Sequence, residues 1–188
     1  YVSNIVVTPA QYLETSISSF TDDAIVGDII SENIIINYAN VKDEVLINHT
    51  NEDVTLSTIG LGNDCGDFGS ATLALTVIPT AVGTITDEIV ISDAISGMKV
   101  TIPVTINVNR NTQTITWNQD IANILTTDNI TFNAEAKTNI TYTSSNTDIA
   151  EVQGNQLVIK TSGEVTITAT AEQTEKYEAT TATKTIVI

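Results

Sequence analysis

The strongest constraint in this sequence is a strict alternation of side-chain type near the middle of the chain. Apolar residues occupy every second position there: Met98, Val100, Ile102, Val104, Ile106 and Val108. Thr101, Pro103, Thr105 and Asn107 lie between the later members of this set. Successive side chains of a β-strand point to opposite faces of the sheet, so the pattern predicts a strand with one buried face. We therefore expect the four apolar residues from Ile102 to Val108 to be buried.

The alternation stops at Asn109, and a second one begins shortly afterwards. Asn109, Arg110 and Asn111 are consecutive polar residues, and Ile115 and Trp117 then alternate with threonines. This order is typical of a last strand, a linker and a first strand. We predict two tandem domains, residues 1–109 and 110–188, which fold separately and join near residues 109–112.

Composition indicates that both domains are built from strands. The chain has 188 residues, is rich in Thr, Ile and Val, and contains few of the residues that favour long helices. Its hydrophobic content of 41% is enough to fill two small cores. We predict an all-β fold.

Several further segments of the first domain read as strands. The local patterns predict strands over 4–8, 15–20, 29–38, 45–47, 54–59, 73–77 and 85–91. Ile17, and as a further candidate Phe20, are expected to face inward, and the stretch that follows is expected to be interrupted at Asp22, Asp23, Gly27 and Asp28. The run Ile34 to Ile36 has no alternation, so this strand is either buried on both faces or central in its sheet.

The charge of the chain is strongly negative and unevenly distributed. The formal net charge is −16, and Lys42 and Lys99 are the only lysine or arginine residues before Arg110. Such a surface repels nucleic acid phosphates and anionic membranes, so we expect neither as a partner. No apolar run has the length of a membrane span, and the first residues lack the features of a signal peptide.

The end of the first domain resembles the hydin-type immunoglobulin-like modules. The residues that carry the resemblance are Pro79, the turn Val82-Gly83-Thr84, the segment Asp87 to Ile91, and the strand that contains Pro103. The resemblance covers about a third of this domain. It implies a sandwich of seven to nine strands without catalytic residues.

The second domain resembles the bacterial immunoglobulin-like group 2 domain of intimin- and invasin-type surface proteins. The matching positions are the aromatic residue Tyr142, the turn 144–146, Ala150 with Val152, and the segment Gly163 to Ala171. The resemblance spans nearly all of residues 111–188. It implies two tandem immunoglobulin-like β-sandwiches in an extracellular or cell-surface protein.

The core of the second domain follows from parity. Residues that share the inward face are Ile115, Val152, Leu157, Ile159, Val165 and Ile167, and we expect all of them to be buried. Trp117 and Tyr142 are the bulky residues available to fill the space between the two sheets.

Residues with the chemistry of catalysis are few. His49 is the only histidine and lies in a polar turn, so a histidine-rich metal site is excluded and a nucleophilic triad is disfavoured. Cys65 is the only cysteine, which excludes an intramolecular disulfide. The carboxylate pairs Asp22-Asp23 and Asp87-Glu88 are adjacent in sequence and would point to opposite faces of a strand. We assign no catalytic residue and predict that the chain is not an enzyme.

One loop contains the hard oxygen ligands that calcium prefers. Asn63, Asp64 and Asp67 are close together around Gly66, but the register of an EF-hand is missing. A solvated loop is the favoured interpretation, and we assign no metal and no cofactor. The triplets that begin at Asn48, Asn129 and Asn139 match the glycosylation acceptor pattern, which arises often by chance in a chain of this composition.

These observations favour a non-catalytic extracellular or cell-surface module pair of a bacterial surface protein. It would act as a spacer, a display element or an adhesion element, and its partner would be an extracellular protein or a glycan. The alternative is an accessory module that binds a glycan or another ligand, with or without the assistance of calcium. A hydrolase would need a cluster of catalytic side chains that the sequence does not contain.

Overall fold

The computed structural model describes residues 10–41, 45–59 and 68–188, and every regular element in these ranges is a β-strand. The chain divides into two compact units, Tyr1–Asn109 and Arg110–Ile188. Among the described residues no helix is long and apolar enough to cross a membrane. The predicted all-β class is confirmed.

The first unit is a sandwich of two four-stranded sheets. Its strands are β1 Tyr12–Thr15, β2 Phe20–Ile25, β3 Ile30–Ala39, β4 Val45–Asn48, β5 Val54–Ile59, β6 Phe68–Val77, β7 Gly83–Asp93 and β8 Lys99–Asn109. One sheet has the order β1-β3-β6-β5 and the other β2-β8-β7-β4. This order is that of an immunoglobulin sandwich whose first strand is divided between the two sheets.

The alternation of apolar residues from Met98 to Val108 gives β8 its buried face. Ile102 and Ile106 are completely buried, and Val104 and Val108 are nearly so. They pack against inward residues of the other sheet, including Ile34 and Leu73. The prediction for these four positions of β8 is confirmed.

The strand predicted over residues 15–20 is wrong. Ser16–Ser19 is a connection between β1, which pairs with β3, and β2, which pairs with β8 in the other sheet. Ser16 supports the crossing, because its N–H donates to Ile35 O at 2.8 Å and its Oγ accepts from Ile35 N at 2.9 Å. Ile17 and Phe20 still pack against the core as half-buried residues. The strand predicted over 4–8 lies outside the described residues.

Two further details of the first unit differ from expectation. Asp22 and Asp23 belong to β2 and do not interrupt it, whereas Gly27 and Asp28 lie in the connection between β2 and β3 as expected. In the Ile34 to Ile36 run, β3 is central in its sheet, but only Ile34 and Ile36 are buried, while Ile35 is 37% exposed on the outer face. The central position therefore explains this run, and burial on both faces does not.

The second unit is a smaller sandwich. Its strands are β9 Ile130–Thr131, β10 Ile140–Ser144, β11 Ala150–Gln153, β12 Gln156–Ile159, β13 Glu164–Ala171 and β14 Thr180–Val187. They form sheets of order β10-β13-β14 and β11-β12-β9, which again correspond to the two sheets of an immunoglobulin fold. Ahead of β9 the chain is held by isolated bridges, such as the one from Thr116 to Glu135.

The residues predicted for the core of the second unit all belong to its hydrophobic cluster, but half of them are only partly buried. Leu157, Val165 and Ile167 are buried, whereas three predicted members are half-buried at the edge of the cluster: Ile115, Val152 and Ile159. They lie on short or irregular segments, where fewer neighbours cover each side chain.

Three aromatic rings fill the centre of this core. Trp117 is buried, and its ring centroid lies 5.6 Å from that of Phe132 and 5.7 Å from that of Tyr142. The Phe132 and Tyr142 centroids are 4.8 Å apart. The predicted roles of Trp117 and Tyr142 are confirmed, and Phe132 is a member that the sequence analysis did not identify.

The predicted linker is tied into the two units at both of its ends. Asn109 is still part of β8, where it lies opposite Ile25, and its carbonyl accepts from Val26 N at 3.2 Å. Asn111 N donates to Lys176 O at 2.8 Å within the second unit. Backbone hydrogen bonds therefore hold the first and last residues of the three-residue linker.

Candidate functional site

The second unit carries a polar cleft of about 410 Å³. This volume lies within the range of small-molecule sites, which is roughly 300–1,000 Å³. Its walls come from three separate parts of the sequence: Thr112, Gln113, Thr114, Thr116, Glu135, Ala136, Lys137 and Tyr177. We refer to this surface as the polar cleft.

Backbone pairing on two sides positions the walls of the polar cleft. On one side Thr116 and Glu135 exchange two hydrogen bonds, each of 2.9 Å. On the other side Asn111 lies beside Tyr177 in a parallel bridge, and Glu178 N donates to Asn111 O at 2.9 Å. The segment from 112 to 116 is therefore held between two fixed walls.

The side chain of Gln113 holds the walls of the cleft together and has no free polar group for a ligand. Its Nε2 donates to Glu178 O at 2.8 Å and to Thr138 Oγ1 at 2.9 Å, and its Oε1 accepts from Lys137 N at 3.2 Å. Both ends of the amide are used by the protein. Gln113 is thus a positioning residue for the segments that carry Lys137 and Tyr177.

The remaining polar groups of the cleft are open to a ligand. Glu135 and Lys137 are exposed, and neither takes part in an ion pair among the described residues. Three exposed threonines of the same wall make no side-chain hydrogen bond within the described protein: Thr112, Thr114 and Thr116. The Tyr177 side chain is half-exposed. A carboxylate, an ammonium group, hydroxyls and one aromatic ring thus surround one concave surface.

The predicted geometry of the Asp87-Glu88 pair is confirmed. Asp87 lies on the inner face of β7 with no exposed side-chain area, whereas Glu88 is exposed on the outer face. Asp87 accepts hydrogen bonds from Thr50 N at 3.0 Å, Thr50 Oγ1 at 3.1 Å and Glu88 N at 2.8 Å. His49 Nδ1 lies 3.2 Å from its other oxygen. These contacts tie the turn after β4 to β7.

The electrostatics of this cluster favour a structural role. Burial by itself would raise the pKa of Asp87, but hydrogen bonds from the backbone of Thr50, Glu88 and Asn51 outweigh it and hold the pKa below its ordinary value. The carboxylate remains charged and its acceptor sites are occupied. Since no part of the side chain is exposed, it does not reach a substrate in solution.

The other residues singled out from the sequence are not brought together into a site. Asp22 and Asp23 are both exposed on the edge strand β2, and Asp23 Oδ1 accepts from Asn107 Nδ2 at 3.0 Å. The three glycosylation-pattern residues are exposed: Asn48, Asn129 and Asn139. Asn63, Asp64, Cys65 and Asp67 lie outside the described residues. Elsewhere, among the residues that the structure describes, no group of three or more His, Cys, Asp or Glu side chains is arranged to hold a metal ion.

The polar cleft has no signature in the sequence. Its residues are drawn from positions 112–116, 135–137 and 177 and share no spacing that a motif would reveal. The only local signal is the run of threonines before Trp117, which a strand in a sheet also explains. The cleft exists because tertiary pairing brings these segments together.

Comparisons with known proteins support the fold. No known protein family matches the chain, and no curated protein matches it. Among solved structures, the titin domains z1z2 in complex with telethonin are similar over 97% of this chain and 98% of that chain, with 10% sequence identity and a TM-score of 0.52. At this identity the similarity shows the fold alone, a tandem of immunoglobulin-like sandwiches.

Two more distant structures were also found. A three-domain titin fragment, I67-I69 in an E-to-A mutated variant, is 10% identical and covers 96% of this chain and 66% of its own length, with a TM-score of 0.43. Drosophila N-cadherin EC1-4 is 14% identical and covers 93% of this chain and 49% of its own length, with a TM-score of 0.35.

Proposed function

We propose that this chain is a non-catalytic spacer and display element of a bacterial cell-surface or secreted protein. One observation carries the proposal. In each unit, an early segment of the described chain runs parallel to the last strand, so that the start of that segment and the end of that strand lie at opposite ends of the sandwich.

In the first unit the parallel pair is β2 and β8. Phe20 lies opposite Val104, and five residues further along both strands Ile25 lies opposite Asn109. β1 precedes β2, so within the described residues the unit begins toward the end at which β8 begins. The chain leaves the unit at Asn109, at the far end of β8.

In the second unit two isolated bridges record the same relationship. Asn111 lies parallel to Tyr177 just before β14, and Asn123 lies parallel to Val187 at the end of β14. The chain therefore enters beside the start of β14 and leaves beside its end.

A unit with ends at opposite poles adds its own length to a chain of modules. At about 3.3 Å per residue, an 11-residue strand such as β8 spans roughly 35 Å. A domain whose ends lie side by side would add almost no reach. This geometry suits a segment that holds another domain away from a surface.

The location outside the cell and the bacterial origin rest on the resemblance of residues 111–188 to the bacterial immunoglobulin-like group 2 domain. The same segment could instead act in adhesion, and a display experiment distinguishes spacing from adhesion.

A display experiment tests the proposal. An epitope tag is fused to a bacterial outer-surface anchor in three ways: with no intervening segment, with residues 110–188 between tag and anchor, and with the whole chain between them. A flexible Gly/Ser segment with the same number of residues is the matched control. We expect the height of the tag above the membrane, measured by cryo-electron tomography with gold-labelled antibody, to rise with each unit and to vary less than with the flexible control. A height that does not change with the number of units would refute a spacer role.

The same cells distinguish adhesion from spacing. Cells that display the whole chain are compared with cells that carry the flexible control for attachment to extracellular-matrix proteins and to glycan-coated surfaces. Attachment that depends on the chain would assign an adhesive role, and equal attachment would leave spacing as its function.

A further inference from the structure

We propose that the polar cleft is a binding site for an uncharged saccharide. The inference does not depend on the spacer proposal, because a module can extend a surface protein with or without such a site. It rests on the side chains that line the cleft and on the hydrogen bonds that hold the backbone segments carrying them.

The free polar groups of the cleft match the chemistry of sugar hydroxyls. A sugar hydroxyl donates one hydrogen bond and also accepts hydrogen bonds. Glu135 offers only acceptors, Lys137 offers only donors, and three threonine hydroxyls offer both. Such a mixture satisfies a ring that carries several hydroxyls, whereas an apolar ligand would leave these groups without partners.

Tyr177 supplies the apolar component of a saccharide site. Its half-exposed side chain lines the same cleft as Glu135 and Lys137. One face of a pyranose ring carries mainly C–H groups, and an aromatic ring provides a flat apolar surface on which that face can pack, with a polar group at its edge. Among the residues that line the cleft, Tyr177 is the one aromatic residue.

The charge of the protein argues against anionic ligands. The unit that carries the cleft, residues 110–188, has five lysine or arginine residues against nine carboxylates, and within the cleft the single ammonium group of Lys137 is balanced by the carboxylate of Glu135. This excess of carboxylates disfavours a phosphate or a polyanionic glycan. An uncharged sugar is not disfavoured in this way.

The cleft is preorganised before a ligand arrives. Gln113 fixes the backbone at Lys137 and the side chain of Thr138 through hydrogen bonds of 3.2 and 2.9 Å. Backbone pairing fixes Thr116 against Glu135. A site that is already ordered loses less conformational entropy on binding, which raises the affinity available from a few hydrogen bonds.

A second cleft lies beside the polar cleft. It has a volume of about 490 Å³ and shares Glu135 and Ala136 with the polar cleft. Its other lining residues include Asn139, Tyr142 and Asn155. Because the two clefts adjoin at residues 135 and 136, we expect a trisaccharide to bind more tightly than the corresponding monosaccharide.

The test is a titration of the full ¹⁵N-labelled chain, followed by heteronuclear NMR. The probes are maltotriose, cellotriose, chitotriose and mannotriose, each added to millimolar concentration, with glucose as the monosaccharide reference. We expect at least one trisaccharide to shift the amide signals of residues 112–116, 135–137 and 177. No shift with any of the four, or shifts confined to other surfaces, would overturn the proposal.

Matched variants assign the binding to the cleft. Tyr177→Ala and Glu135→Gln are each expected to weaken binding by about tenfold or more, which corresponds to the loss of one hydrogen bond to a charged group or of an equivalent packing contact. Thr183→Ala, at an exposed position of β14 that does not line the cleft, is the control and should bind normally. Fluorescence of Trp117 checks that each variant is folded. Equal affinities in all three folded variants would contradict the assignment.

The result of the saccharide titration is independent of the result of the display experiment. A chain that binds no saccharide can still raise the epitope tag, and a chain that binds a saccharide can fail to raise it. Each proposal therefore stands or falls on its own measurement.

Discussion

Thr50 donates two hydrogen bonds to the same oxygen of Asp87, from its backbone N at 3.0 Å and from its Oγ1 at 3.1 Å. The two residues are 37 positions apart, and the contact closes the turn after β4 onto β7. Because the carboxylate is buried and also accepts from Glu88 N, its removal leaves several donors without a partner. The stability of the first unit is therefore expected to depend on this one side chain.

Replacement of Asp87 by Ala is the first test of this dependence. We expect the free energy of unfolding at neutral pH to fall by about 2–3 kcal/mol, the cost of leaving buried donors without a partner and losing a hydrogen-bonded charge. Urea unfolding followed by circular dichroism measures it. Glu88→Ala, on the exposed face of the same strand, is the control and should change stability by no more than about 0.5 kcal/mol. Equal effects of the two substitutions would argue against the buried network.

The same carboxylate predicts how the first unit responds to acid. The pKa of Asp87 is lower in the folded protein than in the unfolded chain, so the unfolded state binds the proton first as the pH falls. Its stabilising contribution is complete above the unfolded pKa of about 3.9 and is lost as the pH falls through the lower folded pKa. Urea midpoints measured from pH 7 down to acid should therefore fall less steeply in Asp87→Asn than in the wild type. Parallel curves would show that other carboxylates account for the acid response.

Gly69 is predicted to be intolerant of a side chain because of Tyr38. The two residues are opposite each other on β6 and β3, and a Cβ at position 69 would lie 2.6 Å from the Tyr38 hydroxyl and 2.8 Å from Cζ. Since Tyr38 is buried, Gly69→Ala should destabilise the protein by about 1–3 kcal/mol. In a Tyr38→Leu background the same substitution should cost much less, as a double-mutant cycle of urea midpoints would show. An unchanged cost in that background would place the strain elsewhere.

Phe132 is predicted to be essential for the second unit alone. Its ring packs against Trp117, and Phe132→Ala should cost about 3–5 kcal/mol. Trp117 is the only tryptophan of the chain, so its fluorescence reports the second unit, while circular dichroism reports strands in both. We expect the fluorescence transition to move to lower urea and the remaining transition to stay in place. A shift of both transitions by the same amount would indicate a shared cooperative unit.

Separate expression of residues 1–109 and 110–188 tests whether each unit folds alone. Each has its own buried cluster, so we expect two soluble fragments with cooperative thermal transitions. The division after residue 109 keeps Asn109 with its partner Ile25 and Asn111 with its partner Tyr177. The matched control divides the chain after residue 104, within β8, and should give an insoluble first fragment. Two insoluble fragments from the division after 109 would instead imply dependence of one unit on the other.

Local pattern accounts for much of the fold. The alternation from Ile102 to Val108 predicted the buried face of β8, and β5 was predicted with the bounds that the structure shows. Such predictions succeed because the period of two belongs to the backbone itself, so that neighbours in sequence report which face is covered. The prediction of a strand over 15–20 is wrong because Ser16–Ser19 crosses from one sheet to the other. Ile17 and Phe20 are apolar because they pack against the core beside this crossing.

By itself the sequence determined the class of fold, the parity of its strands and the core positions of Trp117 and Tyr142, because each depends on side chains a few residues apart. Tertiary structure alone decided that Thr50 caps Asp87, that Gly69 lies against Tyr38, and that Gln113 and Tyr177 meet in one cleft. These partners are separated by tens of residues, and no local period relates them. They are brought together by the register of strands from distant parts of the chain, which is set by the packing of a whole sandwich.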